Sequence, residues 1–113
     1  RGARALTVAN AETEYTGVFR DKYPCTAGHT LFIPKKDTPE YVGQSYGLAY
    51  EYGNKKIKEG KMMGFNVGMN IGLCAGQTIL WPHIHFIPRH EGDAKHHGGM
   101  RYTHPSADHN HYY

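Results

Sequence analysis

Residues 65–72, Phe-Asn-Val-Gly-Met-Asn-Ile-Gly, alternate apolar with small or polar side chains, and no other pattern in the chain limits its fold as strongly. A period of two belongs to a strand with one buried and one open face; a helix repeats every 3.6 residues. A second run follows at residues 79–87, Ile-Leu-Trp-Pro-His-Ile-His-Phe-Ile. On a strand it sends Leu80, Pro82, Ile84 and Phe86 to one side and Trp81, His83 and His85 to the other. Two histidines thereby share an accessible sheet face. Between the runs, Leu73-Cys-Ala-Gly-Gln-Thr78 is a loop of small residues, able to bring backbone N–H groups close to a ligand.

Three more strands are expected upstream. Residues 5–9 and 15–20 form two of them, separated by the polar turn at 10–14, and residues 29–33 form the third, stopped by Pro34. Thr38 and Pro39 supply a cap and a first-turn proline, after which Val42, Tyr46, Ala49 or Tyr50, Gly53 and Ile57 recur at helical spacing as far as Gly60. Gly43, Gly47 and Gly53 weaken this helix by about 1 kcal/mol each relative to Ala. The stretch from His90 to Tyr113 is rich in Gly, His and Tyr without a sustained period, and is expected to be extended or partly mobile. Its histidines have the composition of a polar, solvated terminus. At 113 residues, the chain is expected to form one domain of α+β class, with about five strands and one long helix.

The net charge of +3 suits an anionic ligand but lacks the dense basic clusters of a nucleic-acid binder. Cys25 and Cys74 lie far apart with no C-x-x-C spacing, which argues against a disulfide framework or a cysteine zinc site. No apolar run reaches the roughly 18 residues of a membrane span, and the opening residues do not read as a signal peptide. A soluble, cytoplasmic protein with no membrane or nucleic-acid partner is expected.

The pair His83 and His85 stands about 6–7 Å apart on a strand. Two imidazoles at that spacing suit three roles: one attacking a substrate while the other donates a hydrogen bond, the two sharing a metal ion, or both simply facing solvent. The pair alone leaves these open. Its surroundings narrow the choice. The stretch Asn70-Ile-Gly-Leu-Cys-Ala-Gly-Gln-Thr-Ile-Leu-Trp-Pro-His-Ile-His-Phe-Ile-Pro-Arg89 resembles the signature region of the histidine-triad (HIT) family, and Asp21-Lys-Tyr-Pro-Cys-Thr-Ala-Gly-His-Thr-Leu-Phe-Ile-Pro-Lys35 resembles that family's other block. Family-like Glu91-Gly-Asp93 and Gly98-Gly-Met-Arg101 follow.

The resemblance implies an antiparallel sheet with a long helix packed on it, usually as a homodimer, and a purine nucleotide as substrate. It implies hydrolysis or transfer at the α-phosphate of a nucleotide phosphoramidate or dinucleoside polyphosphate, through a nucleotidyl-histidine intermediate. His83 is then the nucleophile, His85 a donor to a phosphate oxygen, and Thr78 a helper of the leaving group. Gln77 contacts phosphate, Asn70 sits beside phosphate and ribose, Asp21 binds ribose hydroxyls, and His29 supports the site from behind; Phe19 and Leu31 flank the base. No cofactor and no metal are implied. Trp81 occupies the position of the family's first motif histidine, which supports the nucleophile partly through its backbone carbonyl. Trp81 can supply that carbonyl, and its presence leaves a non-catalytic nucleotide-binding module as the alternative.

Overall fold

The computed structural model describes residues 7–108 and 110. Its described strands are β1 (Thr16–Arg20), β2 (Thr30–Pro34), β3 (Gly64–Gly68) and β4 (Ile84–Arg89), and its long helix is α1 (Pro39–Lys58). The strands form one antiparallel sheet in the order β1-β2-β4-β3. This is the α+β architecture expected from sequence, with four strands among the described residues instead of about five. Of the expected first strand, residues 5 and 6 lie outside the described residues. Thr7 makes a single bridge to Phe19, and the Val8 N–H donates to the Val18 carbonyl.

The helix starts where the cap chemistry places it. Thr38 is extended and its hydroxyl accepts from the Tyr41 N–H, with Pro39 in the first turn. The buried face matches the expected one in part: Ala49 and Gly53 meet the sheet, joined by Ser45, whereas Tyr46, Tyr50 and Ile57 are exposed. Small residues let the helix approach closely, and the bulk comes from the sheet together with Leu48 and Tyr52 at the edge of the helix face. Phe65 is the clearest case, its ring filling the space a Cβ on Gly53 would occupy. Val18, Phe32, Ala49, Ile84 and Phe86 form the buried core, with Phe86 in ring contact with Phe32, Tyr52 and Phe65. A buried Thr16–Ser45 hydroxyl pair, 2.6 Å apart, ties β1 to the helix.

Both expected strands around the histidines are shorter than their alternation suggests. Extending the Phe32–Ile84 register by two residues sets Pro34 opposite Pro82, and neither has an N–H to donate. Pairing between β2 and β4 therefore begins only at Ile84. β3 in turn ends at Gly68, opposite His85, because the 79–83 segment has left the sheet. The downstream stretch, expected to be extended, contains a 3-10 turn at Gly99–Thr103, with Met100 lying over Gly68. Among the described residues no helix is long and apolar enough to cross a membrane.

Candidate functional site

Side chains on the sheet face opposite α1 carry the chemistry. His85 pairs with Leu31 across β2 and β4, and Leu31 with Phe19 across β1 and β2, so these three share that face. His83, one residue before β4, stands beside His85 with ring centroids 5.2 Å apart. His83 is buried, at 8% exposure, but its ring packs beside His85 rather than in the phenylalanine core on the other side of the sheet.

Hydrogen bonds assign the protons. His83 Nδ1 lies 2.9 Å from the Trp81 carbonyl, which can only accept, so Nδ1 carries a proton, and the tautomer this selects has its lone pair at Nε2. His85 is set the opposite way, through His29. The Cys25 backbone N–H donates to His29 Nδ1 at 3.1 Å, leaving the His29 proton on Nε2. That nitrogen lies 2.9 Å from His85 Nδ1, which must then accept, and the His85 proton sits on Nε2. One ring thus offers a lone pair and its neighbour a proton.

Asp21 follows β1 directly and is buried. Its Oδ1 accepts from the Tyr23 N–H at 2.8 Å, and its Oδ2 lies 3.4 Å from His29 Nε2. Asp21, His29 and His85 place donor atoms within 4.8 Å of one another, a spacing that suits a metal ion. The proton pattern does not suit one. A metal needs an unprotonated His29 Nε2, and the Cys25 N–H holds the proton there by occupying the lone pair on Nδ1.

The loop between β3 and β4 is ordered by its own polar groups. Gln77 Oε1 accepts from the Gly72 N–H, and its amide nitrogen donates to the Ile79 and Leu80 carbonyls. The Ala75, Gly76 and Gln77 N–H groups donate to the Gly72 and Leu73 carbonyls, so the loop spends on itself several of the amides expected to face a ligand. The side chain of Asn70, exposed, lies against Gly76, whose φ of 96° favours glycine. Thr78 is exposed at the end of this loop.

Three groups were not legible as site components in the sequence: the Cys25 N–H, the Pro34 carbonyl and the Trp81 indole, which donates to that carbonyl at 2.9 Å. Two are backbone atoms and carry no residue signature. A cleft of about 540 Å³ lies elsewhere, between the 8–13 turn and α1, lined by Arg20, Leu48, Tyr52 and Lys55 among others. It opens on the helix side of the sheet, away from the histidines.

The sequence profile of the HIT domain matches residues 6–92. An uncharacterized HIT-like protein of Methanocaldococcus jannaschii is 34% identical over 90 residues, covering 74% of this chain and 70% of that protein. The AP-4-A phosphorylase of Mycobacterium tuberculosis is 31% identical over 97 residues, covering 79% of this chain and 49% of that enzyme. The chain thus spans only about half the length of that relative. A zinc-bound histidine triad family protein from Mycobacterium smegmatis superposes with a TM-score of 0.71 at 32% identity, over 80% of this chain and 70% of that one. The HIT profile spans well over half of the sequence and the fold agrees with it: the chain belongs to the HIT family.

Proposed function

We propose that the protein binds a purine nucleotide and cleaves it at the α-phosphate, through a covalent nucleotidyl intermediate on His83. The observation that carries this reading is the opposed hydrogen bonding of two adjacent imidazoles at Nδ1, which selects the tautomer with a lone pair on Nε2 at His83 and the one with a proton on Nε2 at His85. The name of the mycobacterial relative supports a nucleotide substrate.

In this reading His83 Nε2 forms a bond to the α-phosphorus as the bond to the leaving group breaks. The ring gains positive charge, and the Trp81 carbonyl on Nδ1 stabilises it. His85 Nε2–H donates to a non-bridging oxygen as negative charge builds there. The Thr78 hydroxyl assists the departing phosphoramidate nitrogen or phosphate oxygen. Water then attacks phosphorus, the P–N bond breaks, and the nucleoside monophosphate leaves with His83 regenerated. Asp21 and Asn70 hold the ribose and phosphate; Gln77 contributes by shaping the phosphate loop, and His29 by fixing the proton of His85. The reading extends to a homodimer, which the exposure of Ile71, Leu73 and Leu80 supports.

Incubation with a purine nucleoside phosphoramidate or a dinucleoside polyphosphate, followed by acid-free trapping and mass spectrometry, is expected to find a nucleotidyl adduct on His83. His83→Ala is expected to lower turnover by at least about a thousandfold, as loss of a covalent nucleophile does. Full turnover without His83 overturns the mechanism. Binding of a nucleoside monophosphate with no turnover, and activity created by Trp81→His, would instead establish a non-catalytic binding module.

A further inference from the structure

Trp81 is the sole tryptophan of the chain and is about half exposed, yet its indole N–H is committed to a backbone carbonyl 47 residues away in sequence. That carbonyl belongs to Pro34, the last residue of β2. In an antiparallel pair the group facing it would be a backbone N–H of the opposite strand, and the residue that the register sets there is Pro82. Two facing prolines thus remove both donors beside His83, at the point where the chain turns into β4. The neighbouring residue, Trp81, restores one donor from its side chain. The same residue's carbonyl accepts from His83 Nδ1.

We infer that Trp81 is a positioning residue for His83: the indole-to-Pro34 hydrogen bond stands in for the missing ladder bond and holds the Trp81 carbonyl on His83 Nδ1. This rests on the reading of His83 as the nucleophile. With the indole tied down, the 79–83 segment has one arrangement against β2, and His83 keeps its lone pair on Nε2. Without that tie the segment is joined to β2 by no backbone donor at residues 34 and 82, the carbonyl drifts, and the neutral ring samples both tautomers. Only the tautomer with a bare Nε2 attacks.

The test compares wild type with Trp81→Phe, which keeps an aromatic ring and deletes the donor, and with Trp81→Phe/Pro82→Ala, which returns a backbone N–H opposite Pro34. Imidazole ¹H–¹⁵N correlation spectra at about pH 8, above the ordinary imidazole range, read the His83 tautomer directly. The indole N–H of the single tryptophan appears as one resonance, and slow solvent exchange is expected for it. Wild type is expected to hold His83 as the Nδ1–H tautomer. Trp81→Phe is expected to show a mixture, with kcat on a nucleoside phosphoramidate lowered about tenfold and KM within about twofold, as misorientation of a bound nucleophile requires. The double variant is expected to recover most of both. An unchanged His83 tautomer in Trp81→Phe overturns the inference, whether or not turnover falls, and so does a loss that Pro82→Ala fails to reverse in spectra of a folded protein. A wild type without turnover whose His83 tautomer still responds to Trp81→Phe sinks the nucleotidyl-transfer reading and leaves the clamp standing.

Discussion

At the residue scale, identical side chains two positions apart are given opposite tasks by what touches their Nδ1 atoms. A carbonyl at His83 puts the proton on Nδ1; a chain of donors running from the Cys25 N–H through His29 takes it away from His85 Nδ1. If His85 donates to phosphate, breaking that chain should weaken catalysis while leaving ground-state binding in place. His29→Ala is expected to lower kcat about ten- to a hundredfold with little change in KM, somewhat less than outright loss of an oxyanion donor costs. Cys25→Pro removes the N–H and leaves His29 present, and steady-state kinetics should find the same fall. A normal kcat in Cys25→Pro would show that the His29 proton is placed by something else. The spacing of the histidine pair is readable from sequence because strand geometry is local. Their protonation is not, since the groups that assign it include a backbone amide whose position depends on how the 22–29 turn is folded.

At the scale of elements, α1 contains glycines that look equivalent in sequence and differ in place. Gly53 lies under the Phe65 ring, within 2.6 Å of several ring atoms for any added Cβ, while nothing lies within 4 Å of such an atom at Gly47. Gly53→Ala is therefore expected to destabilise by about 1–3 kcal/mol through overpacking. Gly47→Ala is expected to stabilise by about 0.5–1 kcal/mol through helix propensity alone. Urea unfolding of the two variants checks this contrast, and equal effects would contradict the packing described. The start of the helix was legible in Thr38 and Pro39 because capping is a local hydrogen bond. Its buried face was legible only in part: the periodicity picks out Ala49 and Gly53, which are buried, but also Tyr46 and Ile57, which are exposed, because the helix approaches the sheet most closely along its small residues.

Across the whole molecule, the middle of β3, the end of β4 and the turn after it are joined by Arg89. Its guanidinium donates to Asn66 at 2.7 Å and in bidentate fashion to Asp93 at 3.0 and 2.8 Å, while the His90 N–H also donates to Asp93. The hydrogen bonds from Arg89, with that from His90, lower the Asp93 carboxyl from 3.8 to about 2. A carboxyl lowered on folding favours the folded state at pH values above its unfolded value, and that contribution fades as the pH falls through about 2. Chemical unfolding across pH is expected to show Asp93→Asn less stable than wild type near neutrality, with the gap closing below about pH 2. A gap that stays constant down to that pH would mean the ion pair contributes nothing.

The sequence by itself determined the class of fold, the helix start, the face shared by His83 and His85, and the family. All of these rest on local periodicity, capping or contiguous motifs. Only the tertiary structure decided where pairing between β2 and β4 stops, which nitrogen of each imidazole is protonated, and how Gln77 is used. Each of those depends on a hydrogen bond between groups that the chain brings together only after the sheet has formed. Pro34 facing Pro82, with the Trp81 indole filling the gap, is the plainest instance.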